Sequence, residues 1–343
     1  KLREGPAFAA VVSDMRMPVM DGAKFLTAVR AVAPDVTRLL LTGETDIQSA
    51  IKAVNEGQIF RFLTKPCPPE LLIRSLEGAV EQNRLVTSER ELLGQTLRGS
   101  IQALCDVLSV ANPIAFGRGT RVKRLATKIA QALGVKEAWA IEVAAMMSQI
   151  GYVVLPSATV ERVLAGKPLS PGERQMVDKV PAIARQVVDN IPRLEAVREI
   201  LDHSLKTFSG VGATPGDPMR GEKIPLGARI LRLAFDYDQL EDSGGSRQDI
   251  LKTLAARTGA YDPRILAALG GLLPGIDQEG RRALKLLEIR SGMVVVEDIK
   301  TSTGTLLMAR GNEITESSLQ RLFNFASSTG IREPIMVAGS ALD

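Results

Sequence analysis

Three side chains of complementary chemistry stand at the ends of three apolar runs. Asp14 follows Phe8-Ala9-Ala10-Val11-Val12-Ser13, Thr42 follows Arg38-Leu39-Leu40-Leu41, and Lys65 follows Ile59-Phe60-Arg61-Phe62-Leu63-Thr64, directly before Pro66. A carboxylate, a hydroxyl and an ammonium together suit phosphoryl transfer to the acid. The carboxylate attacks phosphorus, and the other two groups hold the oxygens of a product carrying a charge of roughly −2. One acid after one strand would be weak support, because Asp more often serves there as an N-cap or loop residue.

The apolar runs read as buried strands, and the segments between them as helices over Ala23 to Val32 and Asp46 to Glu56. Strands alternating with helices predict a parallel α/β sheet, and such sheets gather the carboxyl ends of their strands at one crevice. At these positions the chain resembles the receiver domain of two-component response regulators. The resemblance implies that Asp14 is the phosphoacceptor, Thr42 the switch hydroxyl, Phe62 the aromatic rotamer switch, and Lys65 the conserved cation of the family, joined to Pro66 by a cis bond. It also implies a sensor histidine kinase as partner. A Mg²⁺ ion is implied too, held by Asp14, the backbone carbonyl of Arg16 and an acidic pair on the family's first strand. That pair is not in this sequence, which opens at what the family would count as its third strand. The expectation is therefore a partial doubly wound sheet, lacking its first strands and with an open edge.

Composition narrows the class. The chain has 343 residues, 45% hydrophobic and 24% charged, with a formal net charge of +4, which fits two or three domains with ordinary cores. Basic and acidic residues are interspersed, with no basic block or aromatic-basic ladder, so no DNA partner is expected. Cys67 and Cys105 lie far apart without metal spacing and suit a reducing, cytoplasmic setting. No apolar run reaches the roughly 18 residues of a membrane span.

From Pro69 a helical stripe runs through Leu72, Leu76, Ala79, Asn83, Val86, Arg90, Leu93 and Leu97 in steps of four and three. It fits either the seam of a parallel homodimer, with Asn83 and Arg90 fixing register, or a helix packed on its own domain. Helical spacing returns over Arg121 to Leu133, Glu137 to Ile150, Ser170 to Asn190, Leu194 to Leu205 and Leu226 to Leu240. Val153-Val154-Leu155-Pro156 reads as a short extended connection, and a loop rich in Gly and Pro spans Ser209 to Gly221.

The motif order here resembles an HD-GYP domain, the metal-dependent family that hydrolyses cyclic di-GMP. Thr120-Arg121-Val122, Ala145 to Gly151, Pro168-Leu169-Ser170-Pro171, Gly210 to Thr214, Glu222 to Leu231 and Tyr261-Asp262-Pro263 carry the likeness. Carried over residue by residue, the family's ligand positions fall on Arg118, Ser148, Gln149, Val180, Ser204, Leu205 and Phe235, none of them an ordinary ligand for Fe, Mn or Zn. The one histidine, His203, reads as a surface or packing residue. Asp236 and Asp238, two apart on a helix, read as capping or surface groups. Arg118, with Arg121 and Lys123, reads as a solvated basic face, with phosphate binding as the sharper reading. From this follows the expectation of a pseudo-enzyme without metal, acting through binding or dimerisation on an unknown output protein. The alternatives are a cyclic di-GMP phosphodiesterase with a remodelled metal site, or an adaptor that binds a cyclic dinucleotide.

Toward the C-terminus, Gly292 to Val296 and Thr305 to Met308 read as strands around a Ser302-Thr303-Gly304 turn, followed by a helix capped by Thr315 and a last strand at Ile335-Met336-Val337. The expected organisation is a receiver over 1–82, a helical linker over 83–100, an HD-GYP-like helical domain over 101–275 and a small α+β module over 284–343.

Overall fold

A computed structural model of the chain describes residues 8–43, 59–211, 217–272 and 281–339, and the chain forms two compact units, Lys1–Ser100 and Ile101–Asp343. In the first, β1 (Ala10–Asp14), β2 (Thr37–Thr42) and β3 (Arg61–Thr64) form a parallel sheet in that order. The register sets Asp14 opposite Leu41 and Thr42 opposite Thr64, so the three strands end level with one another. Leu26, Leu40 and Ile59 form the core under the sheet, with Val11, Met15, Phe25 and Phe62 packed against it. Helix α1 (Gly22–Val32) starts at an Asp21 cap that accepts from the Lys24 amide. Gly22 is required there, because a Cβ would stand 2.1 Å from the Asp14 carbonyl oxygen. The helix expected over Asp46 to Glu56 lies outside the described residues.

Helix α2 (Pro69–Ala111) buries Ser75 and Ala79 completely. Its two polar stripe residues are engaged within the same chain: the Asn83 amide donates to the Asp35 carbonyl at 2.7 Å, and Arg90 pairs with the Asp35 carboxylate. This is the packed-helix reading of the stripe. Further along, Leu92 and Leu93 are exposed.

The second unit is mainly helical: α3 (Pro113–Ala132), α4 (Trp139–Met147), α5 (Ser157–Leu164), α6 (Pro171–Val177), α7 (Val180–Asp189), α8 (Glu195–His203), α9 (Leu226–Asp242), α10 (Arg247–Ala256) and α11 (Pro263–Leu272). Helices α3, α4 and α9 supply its centre, where Phe116, Ile129, Met147, Ile230 and Leu233 are fully buried. Two readings of the sequence need correction. The segment read as an extended connection is in its first part a 3-10 helix, Ile150–Val154. The helix read over Ser170 to Asn190 is two helices, since Pro181 in the first turn of α7 has no N–H to continue a helix from α6. Gly151 lets the 3-10 turn touch α7, where a Cβ would lie 2.2 Å from the Val180 carbonyl oxygen.

The C-terminal part has its own core around Ile289, Val295, Leu307, Ile314, Leu322 and Val337. Its strands are β4 (Arg282–Leu284), β5 (Val294–Val295), β6 (Ile299–Lys300), β7 (Leu306–Met308) and β8 (Ile335–Ala338). The two strands expected around the Ser302-Thr303-Gly304 turn are joined by a third: β7 pairs with β6, whereas β5 pairs with β8. Glu297 and Asp298 break the apolar run, so the two-residue strand after them has no sequence signal. Thr315 caps α12 (Glu316–Ser328) as expected, accepting from the Ser318 amide. A loop of this part lies directly against α3. Gly311, at φ +87, would place a Cβ 2.2 Å from Arg121 Cγ, and a Cβ on Gly117 would lie 3.0 Å from the Arg310 carbonyl oxygen.

Candidate functional site

At the carboxyl rim of the first sheet, Lys65 Nζ reaches Asp14 Oδ2 at 2.5 Å, with the two side chains 46% and 40% exposed. The Arg16 amide approaches Asp14 Oδ1 at 3.4 Å. The Asp14 carboxyl is held below its usual 3.8, chiefly by the Lys65 hydrogen bond, against a smaller upward push from burial. Thr42 is fully buried as a residue, and its hydroxyl donates to the Gly43 carbonyl at 3.2 Å. Phe62 is half-buried against the core, and Lys65-Pro66 is cis. Strand order therefore gathers an acid and an ammonium in direct contact, with a hydroxyl at the end of the strand between theirs. A resident Mg²⁺ does not fit the described residues alone. Both Asp14 oxygens already have partners, and no group of three or more His, Cys, Asp or Glu that could hold a metal occurs among the described residues.

The second unit holds a cavity of about 420 Å³. Arg118, Ser148, Gln149, Val180, Ser204, Leu205 and Phe235, scattered over nearly 120 positions of sequence, all line it, together with Tyr152, Asp178, Arg232 and Asp236. Arg118 lies over the Phe235 ring, 5.6 Å from its centroid, a cation–π arrangement that favours a partly desolvated guanidinium. Arg232 reaches across to Asp236 at 2.9 Å and to the Leu205 carbonyl at 3.1 Å. Two buried polar atoms on lining residues have no hydrogen-bond partner, Gln149 Oε1 and Arg232 Nε. A buried orphan of this kind costs about 1–3 kcal/mol, which a bound ligand can recover.

The charged groups here are not a solvated face. Arg118 and Arg121 are 13% and 12% exposed, and both pair with Asp238, itself 3% exposed. Asp238 is thus a shared buried counter-ion rather than the surface group expected. Asp236 likewise accepts from Arg232, Arg257 and Tyr261, the last at 2.6 Å. Spacing along α9 gives only Arg232, four residues before Asp236; the other partners come from α3, the residue after α10 and the turn before α11. Burial, followed by the hydrogen bond to Asp236, pushes the Tyr261 hydroxyl up to about 12. His203 is half-buried at the end of α8 and does not line the cavity. The loop at Gly212 to Thr214 lies outside the described residues.

Comparison with known proteins follows the same division. Residues 2–77 match the response regulator receiver domain and residues 102–265 match the HD domain. The chain is 33% identical over 115 residues to the hydrogenase transcriptional regulatory protein HoxA of Bradyrhizobium diazoefficiens, a stretch covering 34% of this chain and 24% of that protein. It is 39% identical over 82 residues to the C4-dicarboxylate transport regulator DctD of Rhizobium meliloti, covering 24% and 18%. The chain thus spans a quarter or less of these relatives. Among solved structures it is similar to the HD domain of the L. monocytogenes phosphodiesterase PgpH in complex with cyclic-di-AMP, at 16% identity and a TM-score of 0.38, covering 52% of this chain and 98% of that one.

These matches overturn the expectation of a pseudo-enzyme. The helical region matches the HD domain through the whole of residues 102–265. A residue-by-residue carry-over of ligand positions does not outweigh that match. Among the described residues no helix is long and apolar enough to cross a membrane. With its parallel strand ends, its helical second unit and both family matches, the chain carries a response regulator receiver domain followed by an HD domain.

Proposed function

We propose that phosphoryl acceptance at Asp14 controls an HD output domain whose cavity takes a phosphate-bearing ligand of the cyclic dinucleotide class. In the first step a carboxylate oxygen of Asp14 bonds to phosphorus. The bond from phosphorus to the donor's leaving group breaks, and the electron pair departs with that group. Lys65 moves from the carboxylate to the new phosphoryl oxygens, and the Thr42 hydroxyl turns from the Gly43 carbonyl to do the same. Phe62, packed beside the same strand ends, follows Thr42. A sensor histidine kinase is the phosphoryl source. Helix α2 carries the change onward, and a second copy of the chain is a natural partner for its exposed stretch.

The observation that carries the cavity reading is its lining. Two guanidiniums, of Arg118 and Arg232, offer forked donors to phosphate oxygens. Gln149, with its unused carbonyl oxygen, offers an acceptor to a base N–H, and Phe235 offers an apolar face. Calorimetric titration of the protein with cyclic di-GMP and cyclic di-AMP tests it, with the same samples followed chromatographically for cleavage. Binding lost in both Arg118→Gln and Arg232→Gln is expected. Equal binding by the wild type and both variants would refute the assignment. For the receiver, a phosphoryl donor should label the wild type and leave Asp14→Asn unlabelled.

A further inference from the structure

Beyond the cavity runs an unbroken alternation of opposite charges, buried at Asp238 and half-buried at Arg310. Arg118 Nε lies 3.3 Å from Asp238. Arg121 grips both oxygens of Asp238, at 2.6 and 3.1 Å, and turns its Nη2 to Asp242 at 3.0 Å. Asp242 pairs in turn with Arg310 of the C-terminal part, and Arg121 Nη1 donates to the Arg310 carbonyl at 3.1 Å. Arg118 lines the cavity, while Asp242 and Arg310 do not. The last link is held in place by the Gly311 loop, whose lack of a side chain seats it on Arg121.

Resting on the proposed anion site, we propose that this ladder couples filling of the cavity to the seating of the C-terminal module, with Asp238 as the positioning residue. Two carboxylates are shared among three guanidiniums, so each pairing depends on the next. An anion that draws Arg118 away leaves Asp238 wholly to Arg121. Arg121 then leans less on Asp242, and Arg310 gains Asp242 for itself. A filled cavity thus tightens the module, and reciprocity requires the module to alter affinity at the cavity by the same factor.

The test uses the full chain, with cyclic di-GMP as the calorimetric probe. Arg310→Gln hands Asp242 to Arg121, returns Asp238 to Arg118 and weakens binding by about fivefold, within the usual range of such coupling. Asp242→Asn throws Arg121 onto Asp238, releases Arg118 and tightens binding. Lys300→Gln, which removes a charge from the same module outside the ladder, separates this from a general field effect and is expected to leave binding unchanged. A ligand-free arm measures hydrogen exchange at the Gly311 and Asn312 amides, which donate to the Val295 and Ala309 carbonyls. Arg118→Gln mimics withdrawal of Arg118 and should slow exchange there by about fivefold. Equal affinity in Arg310→Gln and the wild type, or an equal loss in Lys300→Gln, overturns the coupling while leaving the cavity site in place. Should the wild type bind no cyclic di-GMP, unchanged exchange in Arg118→Gln overturns it independently.

Discussion

The receiver rim and the ion network beside the HD cavity both join a carboxylate to a cation, under opposite conditions. Asp14 and Lys65 meet where both side chains are 40% exposed or more, so water screens the pair and either partner can leave it. Asp238 meets its guanidiniums at 3% exposure, where each charge has given up its hydration and depends on the others. The first arrangement suits a group that must react and change partners. The second suits one that must hold position.

The largest effect should fall on reactivity at the rim. Asp14→Asn removes the attacking oxygen, and incorporation of labelled phosphate should drop to background with no change in the urea midpoint. A substantial shift in that midpoint would mean that the rim is structural, and the comparison would collapse. At the buried site the balance reverses. Asp238→Asn strips Arg118 of its carboxylate, leaves Arg121 with Asp242 alone, and should cost roughly 3–5 kcal/mol in urea unfolding. A loss below about 1 kcal/mol, the range of exposed pairs, would show that Asp238 is far wetter than its burial indicates. Gly311→Ala comes next, because φ +87 and the contact with Arg121 both disfavour a Cβ; about 1–3 kcal/mol is expected by the same measurement.

Titration sharpens the contrast further. The Asp14 carboxyl is lowered from 3.8 when folded, so its pairing is complete above that value and is lost as pH falls through the folded-state pKa. Lys65→Met removes the main cause, and carboxyl carbon NMR should show the Asp14 midpoint rising. The smallest test uses the two thiols. Burial, then the charge of Asp106, pushes Cys105 up to about 11, whereas Cys67 is half-exposed. Iodoacetamide at neutral pH should label Cys67 and spare Cys105.

The receiver site was legible because each of its residues closes its own apolar run, and the parallel sheet does the rest. Thr42 and Lys65 needed no knowledge of packing. The cavity lining was legible only through family resemblance, since Arg118 and Phe235 sit on different helices with nothing local to join them. The ion network escaped sequence reading altogether. The i, i+2 spacing of Asp236 and Asp238 does send them to different sides of α9, but both sides are buried against other elements. Helices α5 and α10 were missed because each has only a few apolar positions, too few to establish a period. The two-residue β6 was missed because strands that short carry no alternation.

Asp35 is held twice by α2, through its carbonyl by Asn83 and through its carboxylate by Arg90. Those residues are seven apart, about two helical turns. A shift of one residue along the helix turns both side chains by about 100°, so neither grip survives alone. The helix is therefore latched at two points on one residue, and it stays in place or lets go as a whole.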